Sequence, residues 1–382
     1  MSPAFVPGVQ LSGLFYRDAV RPLLDRRFPG LAHTAVLLGP GSEVLGFDTA
    51  RSTDHDWGPR LQLLLRVEDL AEHGAAIDDL LAANLPATVA GYSTHFEPVS
   101  AAGTRHLGPA FDRIRHGVVI AELGAWLTGQ LGFDPRAGVT PLDWLSTPTQ
   151  ALAELTAGAV FHDGLGRLVP IRDRLAWYPD DVWRYVLACQ WQRISQEEAF
   201  VGRCGETGDE LGSAVVAARL VRELMRLDLL LHRVYPPYGK WLGAAVTRLP
   251  DAENLTPALS AALAATDWRT RERHLVDAYE TVAARHNDTG LTEPVDPRTR
   301  PFHDRPFRVL HAERFAAALR DTIHDPRLRE LPLTGAIDQF VDSTDALGHR
   351  GTTRRLGSAL YPDSALYFDD SSSSNARRAE PT

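Results

Sequence analysis

Several features are scarce in this 382-residue sequence, and each scarcity excludes a class of protein. Only two cysteines occur, Cys189 and Cys204, which excludes a disulfide framework and predicts free thiols in a reducing cytoplasm. The formal net charge is -9, so we expect no bulk binding to a nucleic-acid backbone. The first residues contain no positive stretch followed by a long apolar run, so we expect no signal peptide and no membrane partner. These absences together predict a cytoplasmic protein.

What is present is ordinary for a globular chain. Hydrophobic residues make up 44% of the sequence and charged residues 23%. The length allows either two domains or a single large one.

The chain is organised around a short apolar run and the glycine turn that follows it. Residues 35–38 (Ala-Val-Leu-Leu) are compatible with a strand, and Gly39-Pro40-Gly41 stops it. Glycine lets the backbone turn sharply and approach a ligand closely. The N–H groups of Gly41 and Ser42, with the serine hydroxyl, suit an anionic oxygen. These two residues are therefore candidate ligand contacts.

Two carboxylates, Asp54 and Asp56, follow the turn and are separated only by His55. In an extended strand, residues two apart point to the same face, so we expect these carboxylates to lie side by side. Close carboxylates repel each other unless a cation lies between them, and Mg²⁺ with its oxygen ligands is the expected cation. The alternative is a solvated loop that caps the next helix. Residues 60–66 read as a buried strand and favour the metal site, because the acids would then lie at the rim of a sheet.

The order of the predicted elements indicates an α+β fold with a mixed sheet near the amino terminus. Helices and strands alternate within residues 10–140, and residues 141–345 are mainly helical. We interpret residues 161–167 as a turn-rich break between helices. A C-terminal extension covers residues 346–382, and its low-complexity part is predicted to be disordered from about residue 369.

A third carboxylate would complete a two-metal site. Glu122 is the first candidate because it ends a hydrophobic, β-branched run that reads as a strand. Glu97 is the second candidate. Each is also explained as a plain strand-end acid, and if neither reaches the metals a one-metal or inactive site is favoured.

Two further polar groups occur in the helical part. Gln190, Arg193 and Glu197 fall at helical spacing, so one face carries amide, guanidinium and carboxylate groups. That face is either a solvated surface with i,i+4 pairs or the wall of a pocket in which Arg193 would bind triphosphate oxygens. Lys240, in Tyr-Gly-Lys-Trp-Leu, is the only lysine of the chain. It is either a phosphate contact or a surface lysine beside an aromatic residue.

The turn, the gap and the acidic pair together resemble the signature of the nucleotidyltransferase superfamily related to DNA polymerase β. Residues 41–59, 192–203 and 238–242 resemble the DUF4037 family more specifically, and the layout is similar to aminoglycoside adenylyltransferases. The resemblance implies an N-terminal nucleotidyltransferase-like sheet followed by a helical DUF4037-type domain. It also implies Asp54 and Asp56 as metal ligands, Gly41 and Ser42 at the nucleotide phosphates, and Lys240 as a nucleotide contact.

The predicted function is a Mg²⁺-dependent nucleotidyltransferase. It would move an NMP, with AMP from ATP as the expectation, to a hydroxyl of a small molecule or protein and release pyrophosphate. The catalytic residues would be Asp54, Asp56 and Glu122, with Glu197 or Glu198 also considered for alignment of the acceptor. The residues alone leave GTP and CTP open, and they do not identify the acceptor.

Two other functions remain open at this point. The chain could be a nucleotide-binding regulatory or antitoxin-like module on the same fold, without turnover. It could also be a phosphohydrolase that uses the acidic pair with His55 or His95, although the dense His-Asp pattern of such enzymes is missing.

Overall fold

The computed structural model describes residues 4–98, 104–110 and 112–361. Its helices are α1 (Gly8–Phe15), α2 (Arg21–Arg27), α3 (Val67–Asn84), α4 (Leu123–Leu131), α5 (Pro141–Ser146), α6 (Thr149–Thr156), α7 (Leu168–Leu175), α8 (Asp180–Glu197), α9 (Phe200–Glu206), α10 (Glu210–Leu231), α11 (Gly239–Val246), α12 (Thr256–Ala264), α13 (Trp268–Asp288), α14 (Glu313–Asp321), α15 (Pro326–Arg329), α16 (Ile337–Phe340), α17 (Thr344–Gly348) and α18 (Arg350–Leu360). Its strands are β1 (Thr34–Leu37), β2 (Arg60–Leu65), β3 (Thr88–Val89), β4 (Tyr92–Ser93), β5 (Phe96–Pro98), β6 (Arg105–Leu107), β7 (Gly117–Glu122), β8 (Ala159–Asp163), β9 (Arg300–Pro301) and β10 (Arg308–Val309).

The chain is an α+β protein that divides into two compact units. Unit 1 contains the described residues up to 137, together with residues 149–177 and 235–244. Unit 2 contains residues 138–148, 178–234 and the described residues from 245 onwards. From the sequence we expected a single boundary near residue 140, with residues 149–177 and 235–244 in the helical part. The structure instead groups these two segments with the sheet of unit 1.

Unit 1 is built on a four-stranded sheet with the order β7-β2-β1-β8. β1 is antiparallel to both β2 and β8, whereas β2 and β7 are parallel. The residues of β2 from Leu61 to Leu65 are all buried, as an apolar central strand requires. Phe15, Val20, Leu63 and Ile77 are among the residues of the core that α1, α2 and α3 form with this sheet.

One strand of this sheet was not expected from the sequence. We interpreted residues 161–167 as a turn-rich break, but Ala159–Asp163 form β8 beside β1, so that interpretation was wrong for its first residues. All five residues of β8 are half-buried, so the strand lacks the alternation that identifies a strand in a sequence. Its side chains still contribute, because Phe161 packs against the core of the sheet.

Unit 2 is mainly helical, with one short β9–β10 hairpin. Trp191 of α8 stacks on Phe315 of α14, with 4.5 Å between the ring centroids. Its indole N–H donates to Nδ1 of His286 on α13, at 3.1 Å. Burial lowers the pKa of His286 to about 4, so this imidazole is neutral at pH 7.

The start of the predicted C-terminal extension is folded. Residues 344–348 and 350–360 form α17 and α18, and Tyr361 is buried. The disorder predicted from residue 369 lies outside the described residues. Both cysteines are free. None of the described helices combines the length and the apolar character that a bilayer crossing requires.

Candidate functional site

The antiparallel pairing of β1 and β2 brings the two parts of the sequence motif to the same end of the sheet. Val36 pairs with Gln62, so the turn that follows β1 and the acids that precede β2 lie at the same end of these two strands. β7 is parallel to β2 and also begins at this end, where Gly117 pairs with Arg60. We call this the acidic end of the sheet, and we call the end at which β2 and β7 finish the opposite end.

The turn after β1 is held in a conformation that needs glycine. Gly39 has φ 82° and Gly41 has φ 154°, both in the region that side chains disfavour. Inside the turn, Phe47 N–H donates to the Ser42 carbonyl at 2.8 Å, and Gly39 N–H donates to the Glu154 carbonyl at 3.0 Å. The Ser42 hydroxyl is half-buried and forms no hydrogen bond with a residue that the structure describes. That hydroxyl can therefore accept from or donate to a ligand, and its contact with a nucleotide phosphate stays a prediction.

A buried ion pair ties this turn to β2. Glu43 is only 3% exposed, and its Oε1 accepts from Arg60 Nε at 2.7 Å and from Arg60 Nη2 at 2.6 Å. Nη2 also donates to the Pro40 carbonyl at 2.8 Å. One guanidinium thus fixes the turn at two points. The pair was missed in the sequence because its members lie 17 residues apart and belong to no motif.

The acidic pair precedes β2 at the acidic end of the sheet, but its backbone does not have the expected conformation. Ala50–Asp54 form a 3₁₀ helix, and Asp56 has φ 49°, so the prediction of an extended strand here was wrong. The two side chains are 67% and 50% exposed. Asp54 contacts Nδ1 of His55 at 2.9 Å, and Asp56 Oδ1 accepts from the Arg105 backbone N–H at 3.1 Å. Both carboxylates thus face solvent and retain lone pairs for a ligand.

The first candidate for the third acid lies at the opposite end of the sheet. Glu122 pairs with Leu65, the last residue of β2, whereas the acidic pair precedes Arg60. Five residue steps along β2 separate the two ends by about 16 Å, which is far beyond the reach of one metal ion. Glu122 instead caps α4 and accepts from the Ala125 N–H and from Arg136.

The second candidate, Glu97, lies on the same side as the acidic pair. It pairs with His106 in the β5–β6 hairpin, and the neighbouring Arg105 forms backbone hydrogen bonds with Asp56. Its carboxylate lies 3.5 Å from Nε2 of His106. Of the two acids considered from the sequence, the fold therefore favours Glu97. Even so, no three His, Cys, Asp or Glu side chains of the described ranges form a group that could hold a metal.

Arg193 and the acids near it lie in unit 2 and bind to their own neighbours. Arg193 pairs with the buried carboxylate of Glu223 at 3.2 Å. Glu197 pairs with Arg219 at 2.7 Å. Glu198 is buried and accepts N–H groups from Leu310 and Ala312, at 2.7 and 3.0 Å. Burial raises the pKa of Glu198 to about 7, although these N–H groups act in the other direction. Arg193 and Glu197 thus pair with residues of α10 and not with each other as an i,i+4 pair, and the binding of triphosphate oxygens by Arg193 stays a prediction.

Lys240, in contrast, belongs to unit 1 and lies beside the motif. The indole of Trp241 stacks on Phe47 at the end of the glycine turn, with 4.9 Å between centroids and 6° between planes. Nζ of Lys240 lies 4.7 Å from the centroid of that indole, a cation–π distance. The Tyr238 N–H donates to Gln150 of α6, which anchors the segment further. The Lys240 side chain is exposed and next to the turn that carries Ser42.

The donor set at the acidic end suits Mg²⁺ in one respect. Mg²⁺ is commonly held by one or two carboxylates, with waters and substrate phosphates completing its octahedron. Asp54 and Asp56 supply exposed carboxylate oxygens of that kind. His95, the other histidine weighed above, is buried and its Nδ1 accepts from the Arg115 N–H, so that nitrogen is already engaged.

Comparisons with known proteins find a match to one family model over part of this chain. Residues 144–242 match the family model described as a domain of unknown function, DUF4037. The match includes residues 192–203 and 238–242, two of the segments that carried the resemblance, and does not reach residues 41–59. A nucleotidyltransferase-like protein from Exiguobacterium sibiricum 255-15 is a structural neighbour with a TM-score of 0.31 and 11% identity, covering 82% of this chain and 91% of that one. None of the curated proteins matches.

Proposed function

We propose that this DUF4037-containing chain is a Mg²⁺-dependent nucleotidyltransferase whose site lies at the acidic end of the sheet in unit 1. The observation that supports the proposal is the antiparallel pairing of β1 with β2, which places the glycine turn and the two carboxylates at the same end of the sheet. A phosphate-binding turn and a pair of metal-binding carboxylates are the two parts that a nucleoside triphosphate needs.

Each group at this end has a role in the proposal. The N–H groups and hydroxyl of Gly41 and Ser42 bind the β- and γ-phosphates. Asp54 and Asp56 hold Mg²⁺, which would neutralise charge on the triphosphate during transfer. Lys240, beside the stacked Trp241, supplies a compact positive charge to the nucleotide.

The reaction follows from these positions. The oxygen of an acceptor hydroxyl attacks the α-phosphorus of the nucleotide, with ATP as the expected donor. The bond between the α-phosphorus and the bridging oxygen breaks, pyrophosphate leaves, and the hydroxyl proton passes to solvent. The products are a nucleotidylated small molecule or protein and pyrophosphate. In this scheme Glu122 has no catalytic role, because of its place at the opposite end of β2, and Glu97 is the nearby acid to test.

The position of Glu122 also favours a second candidate function. Without Glu122, the acidic end has the two carboxylates of Asp54 and Asp56 and no third one from β7. A site with two carboxylates could bind a nucleotide without transferring it, as a regulatory module would. The two functions differ in one observable: the module binds nucleotide but never releases pyrophosphate.

The test is incubation of the protein with each α-labelled NTP and Mg²⁺, with cell extract as the source of acceptors. We expect an acceptor to become labelled and pyrophosphate to be released. The rates of both should fall by about 100-fold or more in Asp54→Asn and in Asp56→Asn, because a bound metal supplies several kcal/mol of charge stabilisation to the transition state. Asp18→Asn is the matched control, since Asp18 is also an exposed carboxylate of unit 1 but lies in the π-helical segment Tyr16–Val20 between α1 and α2. Unchanged turnover in Asp56→Asn would refute the assignment, and nucleotide binding without label transfer would support the regulatory module.

A further inference from the structure

A second candidate binding site lies at the opposite end of the same sheet. A cleft of about 480 Å³ is present there, a size typical of small-molecule pockets. It is lined by Leu65, Arg66, Val67, Glu68, Glu122, Leu123, Arg136, Leu165 and Arg167. The parallel strands β2 and β7 both end at this cleft, and ligands of open α/β sheets bind outside the carboxyl ends of such strands.

The positive charges of this cleft are not all neutralised by the protein. Arg136 is held by Asp134 at 2.8 Å and by Glu122 at 2.9 Å. Burial acts to raise the pKa of Glu122, but the N–H groups of Gly124 and Ala125 and the Arg136 guanidinium outweigh it, so the pKa is lowered and the acid stays ionised. The guanidinium groups of Arg66 and Arg167, in contrast, form no ion pair and no hydrogen bond with the part of the chain that the structure describes.

The backbone beside Arg66 adds donors to these guanidinium groups. Arg66 is the N-cap residue of the 18-residue helix α3, and no side chain caps this end. The first N–H groups of the helix therefore lack acceptors within it, and two of the residues that carry these groups, Val67 and Glu68, line the cleft. Glu68 is the remaining acid of the lining, so the unpaired side chains carry more positive than negative charge.

Arg167 is positioned at the cleft by the end of β8. Asp163 accepts from the Thr34 hydroxyl at 2.6 Å and from the Val169 N–H at 3.1 Å, so one carboxylate joins β1, the strand end and α7. The Gly166 N–H donates to the Asp163 carbonyl, which closes the connecting turn. Arg167 is thus presented from a fixed turn at the end of the sheet where β2 also finishes.

The rest of the lining is apolar. Val67 is 65% exposed and Leu165 is half-buried, so these two side chains supply apolar surface, whereas Leu65 and Leu123 line the cleft but are almost fully buried. A ligand that matches this wall carries an anionic group and a small apolar body.

We infer that this cleft binds an organic phosphate monoester, with the phosphate between Arg66 and Arg167 and the apolar body against Val67 and Leu165. Guanidinium forks match the geometry of phosphate oxygens, and the uncapped end of α3 supplies N–H donors to the same group. The cleft is separate from the nucleotide site, because the length of β2 lies between them. The inference therefore does not depend on the proposed activity.

The experiment is an NMR titration of the ¹⁵N-labelled full chain with phenyl phosphate, with inorganic phosphate and phenol as separate arms. We expect saturable shifts of the Val67 and Glu68 amides with phenyl phosphate, weaker binding of inorganic phosphate, and none of phenol. Affinity should fall from pH 7.5 to pH 5, because the second pKa of a phosphate monoester is about 6 and the dianion is the better ligand.

The variants make the result specific. The double variant Arg66→Gln/Arg167→Gln lacks both guanidinium groups. Its affinity for phenyl phosphate should be lower by about tenfold or more, because the charge-assisted hydrogen bonds to the phosphate are lost. Arg26→Gln, an exposed arginine of α2 outside the cleft, is the matched control and should leave binding unchanged. Absence of saturable shifts at Val67 and Glu68 would overturn the inference, and so would equal affinity of the double variant and the control. Asp56→Asn should retain this binding even if it loses nucleotide transfer.

Discussion

The ion pair between Glu43 and Arg60 gives the sharpest prediction about how the glycine turn is held. Replacing Arg60 by Met removes the charge but keeps much of the volume of the side chain. Glu43 is 3% exposed, so its carboxylate would remain buried without its partner, and the Pro40 carbonyl would lose its donor. Breaking a buried pair in this way costs about 3–5 kcal/mol. Because the Arg60 side chain is 14% exposed and water can reach it, we expect the lower limit, about 3 kcal/mol.

The assay is urea denaturation of four proteins in a double-mutant cycle: wild type, Arg60→Met, Glu43→Gln and the double variant. The double variant leaves no charge buried and should be about 2 kcal/mol more stable than Arg60→Met alone, so the coupling energy of the cycle should be about 2 kcal/mol plus the cost of Glu43→Gln by itself. Arg21→Met is the control, since Arg21 pairs with Asp25 on the surface, at 3.4 Å, and should leave the midpoint unchanged.

The functional consequence follows from the same contacts. A loosened turn should also weaken nucleotide binding, and hydrogen exchange of residues 39–47 should quicken in Arg60→Met. If Arg60→Met were no less stable than Arg21→Met, and the cycle gave no coupling, the conclusion that this pair fixes the turn would be refuted.

Three further predictions concern stability. Gly158→Ala should lower the free energy of unfolding by about 2–3 kcal/mol, because Gly158 has φ 64° and a Cβ there would collide with the Leu37 carbonyl oxygen. Gly166→Ala, at φ 62° but with open space around it, should lower it by about 1 kcal/mol. Equal thermal midpoints of the two variants would contradict this. The pKa of Glu198 is about 7 in the folded protein and near 4.5 when the chain is unfolded. The protonated side chain therefore adds on the order of 3 kcal/mol to the free energy of unfolding below pH 4.5, and this contribution is lost as the pH rises through 7. Glu198→Gln should flatten that part of the urea-stability profile, and an unchanged profile would exclude this origin. The effect of His286 on stability has the opposite pH dependence, because its pKa is lowered to about 4 in the folded protein. Stability should therefore fall as the pH drops from 6.5 to 4, and the fall measured by urea denaturation should be smaller in His286→Gln. An equal fall in both proteins would refute this.

Local sequence patterns were sufficient to predict most individual elements of the fold. Residues 67–85, which read as a helix because acids come early in them and Pro86 would stop it, form a helix at Val67–Asn84, and the strand predicted over 60–66 is observed at Arg60–Leu65. Both have strong periodicity or continuous burial, and both are bounded by residues that end such elements. β8 was missed because its five half-buried residues give no alternation and because its last two residues, His162 and Asp163, are followed by Gly164 in a sequence typical of turns.

The candidate site was less predictable because it depends on register. The sequence places Glu122 at the end of a strand, but only the pairing of Glu122 with Leu65 shows that this end lies away from the acidic pair. The position of Lys240 likewise rests on the stack of Trp241 on Phe47, a contact between residues far apart in the chain. Side-chain pairs of this kind arise from packing, which no local pattern encodes.

The central claim is that a nucleoside triphosphate binds at the acidic end of the sheet, and it is tested most directly by locating the nucleotide. The measurement is an NMR titration of the ¹⁵N-labelled chain with Mg²⁺ and an ATP analogue whose α,β-bridging oxygen is replaced by methylene, so that no transfer occurs. We predict the largest shifts at the amides of Gly41, Ser42, Asp54 and Asp56 and at the Trp241 indole. Shifts confined to Val67 and Glu68 in the cleft, or to α8 in unit 2, would contradict the claim.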